Sequence, residues 1–134
     1  MSEYIKPLPQ PSKTSQPFWD AAKRHELMLQ RCEACHRFIY YPRARCPHCF
    51  SDRLLWRKCS GKGKLYSFTV VHRPSTRLFA DGPYILAIVE LEEGPRLTTN
   101  IVAPAEKLKV DMPVTVYFDD VTPERTLVKF KPAE

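Results

Sequence analysis

Two Cys-x-x-Cys pairs, Cys32 with Cys35 and Cys46 with Cys49, stand ten residues apart in the stretch RCEACHRFIYYPRARCPHCF, and they constrain this chain more than any other feature. Each such turn aims two sulfurs at one point, so four thiolates from two knuckles can meet tetrahedrally around a single ion. The pairing is read as metal ligation rather than disulfides because the expected compartment is reducing. The chain has no apolar run long enough to span a membrane. Its N-terminus MSEYIKPLPQPSKTSQP carries neither the apolar stretch of a signal peptide nor the Arg/Ser pattern of a transit peptide, so a soluble cytoplasmic protein is expected.

Cys32, Cys35, Cys46 and Cys49 are therefore the expected ligands of one zinc ion with a structural role. A rubredoxin-like iron centre uses the same four sulfurs, and the knuckle Cys46-Pro-His-Cys49 has something of that look; colour separates the two. A four-sulfur shell is full and leaves no position for an activated water, which argues against a hydrolytic metal. His36 and His48 flank the ligands and are expected on the knuckle surface. The fifth cysteine, Cys59, is expected to be a small buried residue without a redox role.

At 134 residues, the chain has room for one ordinary domain or two very small ones, where a metal staple helps a modest core. Three parts are expected. Residues 1–30 hold a proline-rich extended arm, with Pro7, Pro9, Pro11 and Pro17, and a short helix over Pro17 to His25. That helix is too short to persist alone, so Phe18 and Trp19 must dock on this protein or on a partner. Residues 31–58 form a zinc ribbon fed by a strand at Leu27 to Arg31 and left by one at Phe38 to Pro42. A return strand from Leu54 is expected to lay Leu54 and Trp56 over the metal site. Residues 59–134 begin with the turn-rich Ser60-Gly-Lys-Gly-Lys64. Five short β runs follow, over Leu65 to Arg73, Tyr84 to Leu91, Arg96 to Val102, Val114 to Phe118 and Leu127 to Phe130, with a hairpin at Glu93-Gly-Pro. Five such runs in a segment this short predict an OB-fold barrel. The fold class is thus mainly β: a short N-terminal helix, a rubredoxin-like zinc ribbon and a C-terminal five-stranded OB-fold barrel.

A formal charge of +6 invites a nucleic-acid reading, but its distribution decides more than its sum. Residues 1–64 carry 13 Lys and Arg against 5 Asp and Glu, while residues 65–134 carry 8 against 10. The barrel that would bind a single strand is the acidic half, with Glu92, Glu93, Asp119 and Asp120 at strand ends and aliphatic side chains between. Tyr66, Phe68 and His72 alternate on one face and could offer a stacking platform, although alternation of this kind more often fills a core. An autonomous single-stranded nucleic-acid binder is kept as the alternative, and the expectation is against it. No nucleophile and base stand together, and neither a nucleophile-elbow serine nor a phosphate-cradling glycine loop is present. The residues by themselves describe a zinc-stapled binding module.

The order of Phe18-Trp19, the strand Glu26 to Arg31, Cys32-x-x-Cys35, Tyr41-Pro-Arg43, Cys46-Pro-x-Cys49, Leu54-x-Trp56, Ser60-Gly-Lys-Gly, Pro83-Tyr and Val89-Glu-Leu resembles one family across nearly the whole chain. It is similar to the bacterial and archaeal zinc-ribbon/OB-fold proteins associated with acyl-CoA metabolism, long catalogued as a domain of unknown function. Tyr41 stands where that family commonly has proline, and His36 where a knuckle glycine is common. The resemblance implies a small subunit, without catalytic residues of its own, that works with a thiolase-superfamily enzyme on 3-oxoacyl-CoA esters or with an acyl-CoA hydratase or aldolase. A CoA ester would then lie at the partner interface. Arg43, Arg45, Lys62 and Lys64 are the candidates for its phosphates, and Phe18 and Trp19 for the contact with the partner.

Overall fold

The computed structural model describes residues 9–72 and 84–133. Pro7, the end of the first barrel strand at Arg73, and Pro83 lie outside the described residues. A helix, α1 (Gln16–Lys23), is followed by a three-stranded sheet of β1 (Met28–Cys32), β2 (Phe38–Ile39) and β3 (Leu54–Lys58), in the order β2-β1-β3. A five-stranded sheet then follows, with β4 (Lys62–Val71), β5 (Tyr84–Leu91), β6 (Arg96–Asn100), β7 (Pro113–Thr122) and β8 (Arg125–Pro132) in the order β6-β5-β4-β7-β8.

The larger sheet curls until its outer strands meet. A parallel bridge joins Ile101 to Phe130, the Val102 N–H donates to the Phe130 carbonyl at 2.8 Å, and the buried Thr99 hydroxyl donates to the Val128 carbonyl at 2.9 Å. Antiparallel neighbours on one central strand plus a parallel closing seam is OB-fold topology, and the barrel is nearly closed. Its filling follows from period-two alternation: Ile85, Ala87, Val89 and Leu91 of β5 all point inward. Phe130 is fully enclosed beside the seam.

One strand breaks the alternation. The pairing of β4 with β5 shifts register between Leu65 and Ser67, so the extra residue Tyr66 is bulged out and Phe68, not Ser67, returns to the core. A bulge inserts one residue and rephases every side chain after it. Tyr66, Phe68 and His72 therefore do not make a common platform: Phe68 packs inward, as such alternation more often does, while Tyr66 is exposed with Arg96 3.9 Å over its ring.

The helix buries Phe18, Ala21 and Ala22, a spacing that gives one stripe, against the base of the barrel and β1. It starts at Ser15, where the chain is not an extended arm: Ser12 and Ser15 exchange backbone and hydroxyl hydrogen bonds, and Ser15 is buried. The Pro9 carbonyl accepts from the Arg125 side chain at 3.2 Å, tying this segment to β8. The two hydroxyls thus satisfy the Ser12 and Ser15 N–H groups, while the first helical N–H groups donate to backbone carbonyls, Gln16 to Ser12 and Phe18 to Ser15. Phe18, Leu27, Leu29 and Cys59 belong to the same buried cluster as the barrel residues, so the base of the ribbon and the barrel share one core.

Candidate functional site

The two knuckles are built alike. Cys32 ends β1 and Cys46 opens the second turn, and the N–H of the residue after each pair, His36 or Phe50, donates back to the first cysteine's carbonyl at 2.8 and 2.9 Å. Cys32 and Cys46 in turn donate their N–H groups to the carbonyls of Arg37 and Ser51, each at 2.9 Å. Both His36 and Phe50 have φ of +64°, the left-handed region that favours glycine. The knuckle turn is thus kept with histidine in place, held by two backbone hydrogen bonds per knuckle.

The four sulfurs of Cys32, Cys35, Cys46 and Cys49 lie within 4.8 Å of one another, with Cys32 to Cys49 and Cys35 to Cys46 both at 3.6 Å. Ligands about 2.3 Å from a tetrahedral zinc stand about 3.8 Å apart, so the donor set fits that ion in number, chemistry and spacing. The Cys35 N–H donates to Cys32 Sγ at 3.4 Å and the His48 N–H to Cys46 Sγ at 3.3 Å. The first of these bonds leads the causes that hold the Cys32 thiol down to about 6. Cys49 is pushed up to about 11: the Ser51 N–H pulls it down, but burial and the other three sulfurs outweigh that bond. Four thiols this close cannot all ionise unless a cation shares them, which is the electrostatic demand a divalent metal meets.

Ile39 and Leu54 wall the cage, as expected for Leu54. Trp56 does not cover it; it packs against the shared core. The reason is the direction of β3, which runs away from the cage, pairing Leu54 with Cys32 and Lys58 with Met28. Two residues along a strand move a side chain by about 6.6 Å. β2 is also shorter than expected, because the Gln30 side chain takes over: its amide donates to the Arg43 carbonyl at 2.8 Å and accepts from the Arg43 N–H at 2.7 Å. His36 and His48 are exposed, their Nδ1 atoms 3.2 Å from Arg31 and 3.1 Å from Arg37. Cys59 is buried, and burial first, then the charge of Glu93, pushes its thiol up to about 12, which leaves it unreactive.

The four basic candidates do not share a cavity. Arg43 lines a cleft of about 460 Å³ between the ribbon and the β5–β6 hairpin, with Arg37, Phe38, Tyr40, His48, Pro95 and Arg96 among its walls. Lys62 lines a different hollow, beside Glu92 and Pro113. Lys64 faces Glu90 at 3.5 Å, and Arg45 donates to the Phe50 carbonyl at 3.2 Å. Sequence reasoning passed over Arg37 and Arg96; Arg37 and Arg43 flank β2 on the ribbon, and Arg96 joins them only because the hairpin folds back on it. Nothing in their local sequence announces that meeting.

The aromatic pair is divided as well. Phe18 is 2 % exposed, edge-on to Trp19 and Tyr40 at 4.9 and 6.0 Å between ring centres, so its side chain serves this chain's own core and is not free for a partner. Trp19 is half-buried and donates its indole N–H to the Tyr41 hydroxyl at 3.2 Å, and Tyr41 is exposed. The surface pair is thus Trp19 with Tyr41.

Residues 19–54 match the rubredoxin-like zinc ribbon domain of ChsH2, and residues 56–119 match the C-terminal OB-fold domain of ChsH2. A DUF35 domain-containing scaffold protein of Methanocaldococcus jannaschii is 37 % identical over 98 residues, which are 72 % of this chain and 70 % of that one. The chain belongs to the DUF35 family. A chain of a solved structure described as Ltp2-ChsH2(DUF35) aldolase is 38 % identical, with a TM-score of 0.83 over 94 % of this chain and 99 % of that one. A probable enoyl-CoA hydratase alpha subunit of Thermomonospora curvata is 38 % identical over 130 residues, 96 % of this chain. This DUF35 chain spans about 40 % of that relative's length. No helix among the described residues is long and apolar enough to cross a membrane.

The acidic strand ends of this DUF35 barrel are largely spoken for. β7 continues past Phe118 through Asp119 and Asp120, and Asp119 accepts from Lys129 Nζ at 2.6 Å. Asp120 accepts from the Thr126 hydroxyl and lies 2.9 Å from His25 Nε2, and those two partners, Thr126 foremost, hold its carboxyl below the usual range. His25 also stacks on Phe118 at 5.3 Å, so these contacts fasten the chain just after α1 to the barrel.

Proposed function

We propose that this chain is a non-catalytic scaffold subunit of a cytoplasmic complex that processes acyl-CoA esters, with a thiolase-superfamily enzyme supplying the reacting groups. One zinc ion per chain, held by Cys32, Cys35, Cys46 and Cys49, supplies structure there, since a filled sulfur shell offers no open position. The observation that carries the scaffold part of the reading is the likeness, at 38 % identity over 99 % of its length, to a chain of a structure described as Ltp2-ChsH2(DUF35) aldolase; the thiolase class rests on the family resemblance alone. The relative named as a hydratase alpha subunit points to the same broad chemistry. The chain's own reactive groups support a non-catalytic part: His25 is engaged by Asp120, His36 and His48 by arginines, and Cys59 is buried with a raised thiol.

The test is co-expression of the tagged full chain with the enzymes encoded beside it, followed by metal analysis and CoA-ester turnover assays of what co-purifies. A stoichiometric complex with one zinc per chain, active only with the second subunit present, is the expected result. A hydratase or aldolase in that position would move the proposal from the thiolase class to theirs. Trp19→Ala combined with Tyr41→Ala should weaken the complex without loss of zinc, because large aromatics that become buried at the centre of an interface carry much of its energy. Turnover by the pure chain alone, or oligonucleotide binding with no enzyme partner, would contradict it.

A further inference from the structure

We propose that the cleft between the first knuckle and the β5–β6 hairpin binds the phosphorylated nucleoside end of a ligand. The cleft supplies the ligand class; identifying that ligand with the head group of a CoA ester rests on the acyl-CoA reading above. At about 460 Å³ the cavity falls within the roughly 300–1,000 Å³ of ordinary small-molecule sites.

The polar groups that line it are almost all donors. Arg43 has no side-chain hydrogen bond or ion pair among the described residues, its backbone alone being engaged by Gln30. Among the described residues the Arg37 guanidinium makes one hydrogen bond, to His48 Nδ1 at 3.1 Å. An arginine can only donate, so His48 accepts through Nδ1 and keeps Nε2–H as a donor, and His36, bonded in the same way to Arg31, does likewise. Arg96 adds a third guanidinium, partly engaged by Glu90 at 2.9 Å and by the Tyr66 ring. The one carboxylate in the lining, Glu93, accepts from the Ser60 N–H at 2.8 Å through one oxygen, and its other oxygen is buried with no hydrogen-bond partner among the described residues, where a ligand hydroxyl or amino group can donate to it.

Guanidinium groups from separate elements suit a dianion with three acceptor oxygens better than a planar carboxylate. Phe38, Tyr40, Pro47 and Pro95 add apolar surface to the same cavity, against which a base can pack. The competing explanation is that these arginines neutralise a metal–thiolate cage of net charge −2. It accounts for Arg31 and Arg37, which bond to knuckle histidines, but Arg43 and Arg96 make no hydrogen bond to a knuckle residue.

The test is titration of the full, zinc-loaded chain with adenosine 3′,5′-bisphosphate, inorganic phosphate and adenosine, followed by calorimetry and by amide chemical shifts. The bisphosphate should bind at low salt and shift amides of the first knuckle and of Gly94 to Arg96. Arg43→Ala and Arg37→Ala should each weaken it about tenfold, the scale of one charged hydrogen bond, and Arg43→Glu should abolish it. Lys107→Ala, on the barrel's 3-10 turn, should change nothing. Equal binding of inorganic phosphate, tighter binding of a single-stranded oligonucleotide, or full affinity in an Arg43→Glu protein that keeps its zinc would overturn the proposal. Complex formation with an acyl-CoA enzyme while the cleft stays silent would sink this inference alone. Bisphosphate binding without such a partner would leave the site standing and remove the acyl-CoA reading.

Discussion

At the ribbon tip the enclosed side chains are Cys32, Ile39 and Cys46, with Cys35 and Leu54 packed beside them, whereas the barrel and the base of the ribbon share a cluster of 14 buried residues around Phe130, Leu65, Val89 and Val114. At about 25 cal/mol for each Å² of apolar surface, three small side chains cannot offset the cost of ordering two knuckles and the loop between them. The barrel can do so with carbon alone. The difference teaches why the metal site stands where it does: sulfur ligation supplements burial where the chain is too thin to bury more than a few side chains. It also places the boundary between the two kinds of stability within the ribbon, between Leu29 in the shared core and Cys32 in the cage, three residues further along β1.

Removing the metal is the strongest way to break that comparison. Chelation, or Cys46→Ser, should cost the knuckles and β2 their amide protection while β5, β7 and β8 keep theirs, because structural zinc contributes an apparent 10–16 kcal/mol, roughly, to folding in zinc-finger peptides. Hydrogen exchange read by mass spectrometry checks it. Uniform loss across both sheets would mean that the tip and the barrel form one cooperative unit.

Next in size is the reverse experiment. Phe130→Ala empties the fully enclosed position beside the barrel seam and should cost about 3–5 kcal/mol in a denaturant titration. Protein that remains folded should keep its zinc, since Phe130 is not part of the ribbon-tip cluster. A smaller effect is expected at Gly63, where an added Cβ would stand 2.5 Å from the Glu90 carbonyl oxygen across the β4–β5 pair. The backbone must move, so Gly63→Ala should cost about 1–3 kcal/mol, again from the barrel and not the tip.

The smallest effect separates the two regions by pH. Partial burial pushes the Glu33 carboxyl up, but Arg57 and Arg31 outweigh it and hold it below its ordinary value; Glu90 is held down first by Arg96, then by Lys64. A depressed carboxyl lends stability that is present above its unfolded value and is lost as pH falls through the folded one. Both regions should therefore weaken in acid, with Glu33→Gln flattening the acid limb at the ribbon and Glu90→Gln that of the barrel. Hydrogen exchange at neutral and acid pH measures each, and equal response of both regions to either substitution would blur the distinction. The shifts should be slight, because partly exposed ion pairs contribute little.

Much of this was legible in the residues. Two C-x-x-C pairs name their own ligands, since the turn geometry that brings two sulfurs together is local. Alternation in Tyr84 to Leu91 names the inward face of β5 for the same reason. The reading failed wherever one extra residue or one side chain acted at a distance. Nothing in Leu-Tyr-Ser-Phe says that Tyr66 is the residue bulged out, because a bulge is set by the partner strand. The Gln30 side chain that ends β2 looks like any polar strand residue until Arg43 is seen opposite it.

The sequence by itself determined the metal cage, the order of the strands and the split between a basic front half and an acidic barrel, because each depends on neighbours in the chain or on composition. Only the tertiary structure decided that Phe18 belongs to this chain's own core and that Trp56 turns from the cage to the barrel. It also decided that Arg43 meets Arg37 and Arg96 across a cleft while Lys62 and Lys64 do not. The physical reason is that a side chain's partners across the fold depend on the twist and register of strands far apart in sequence, whereas the turn that aims two cysteines at one ion is closed within four residues.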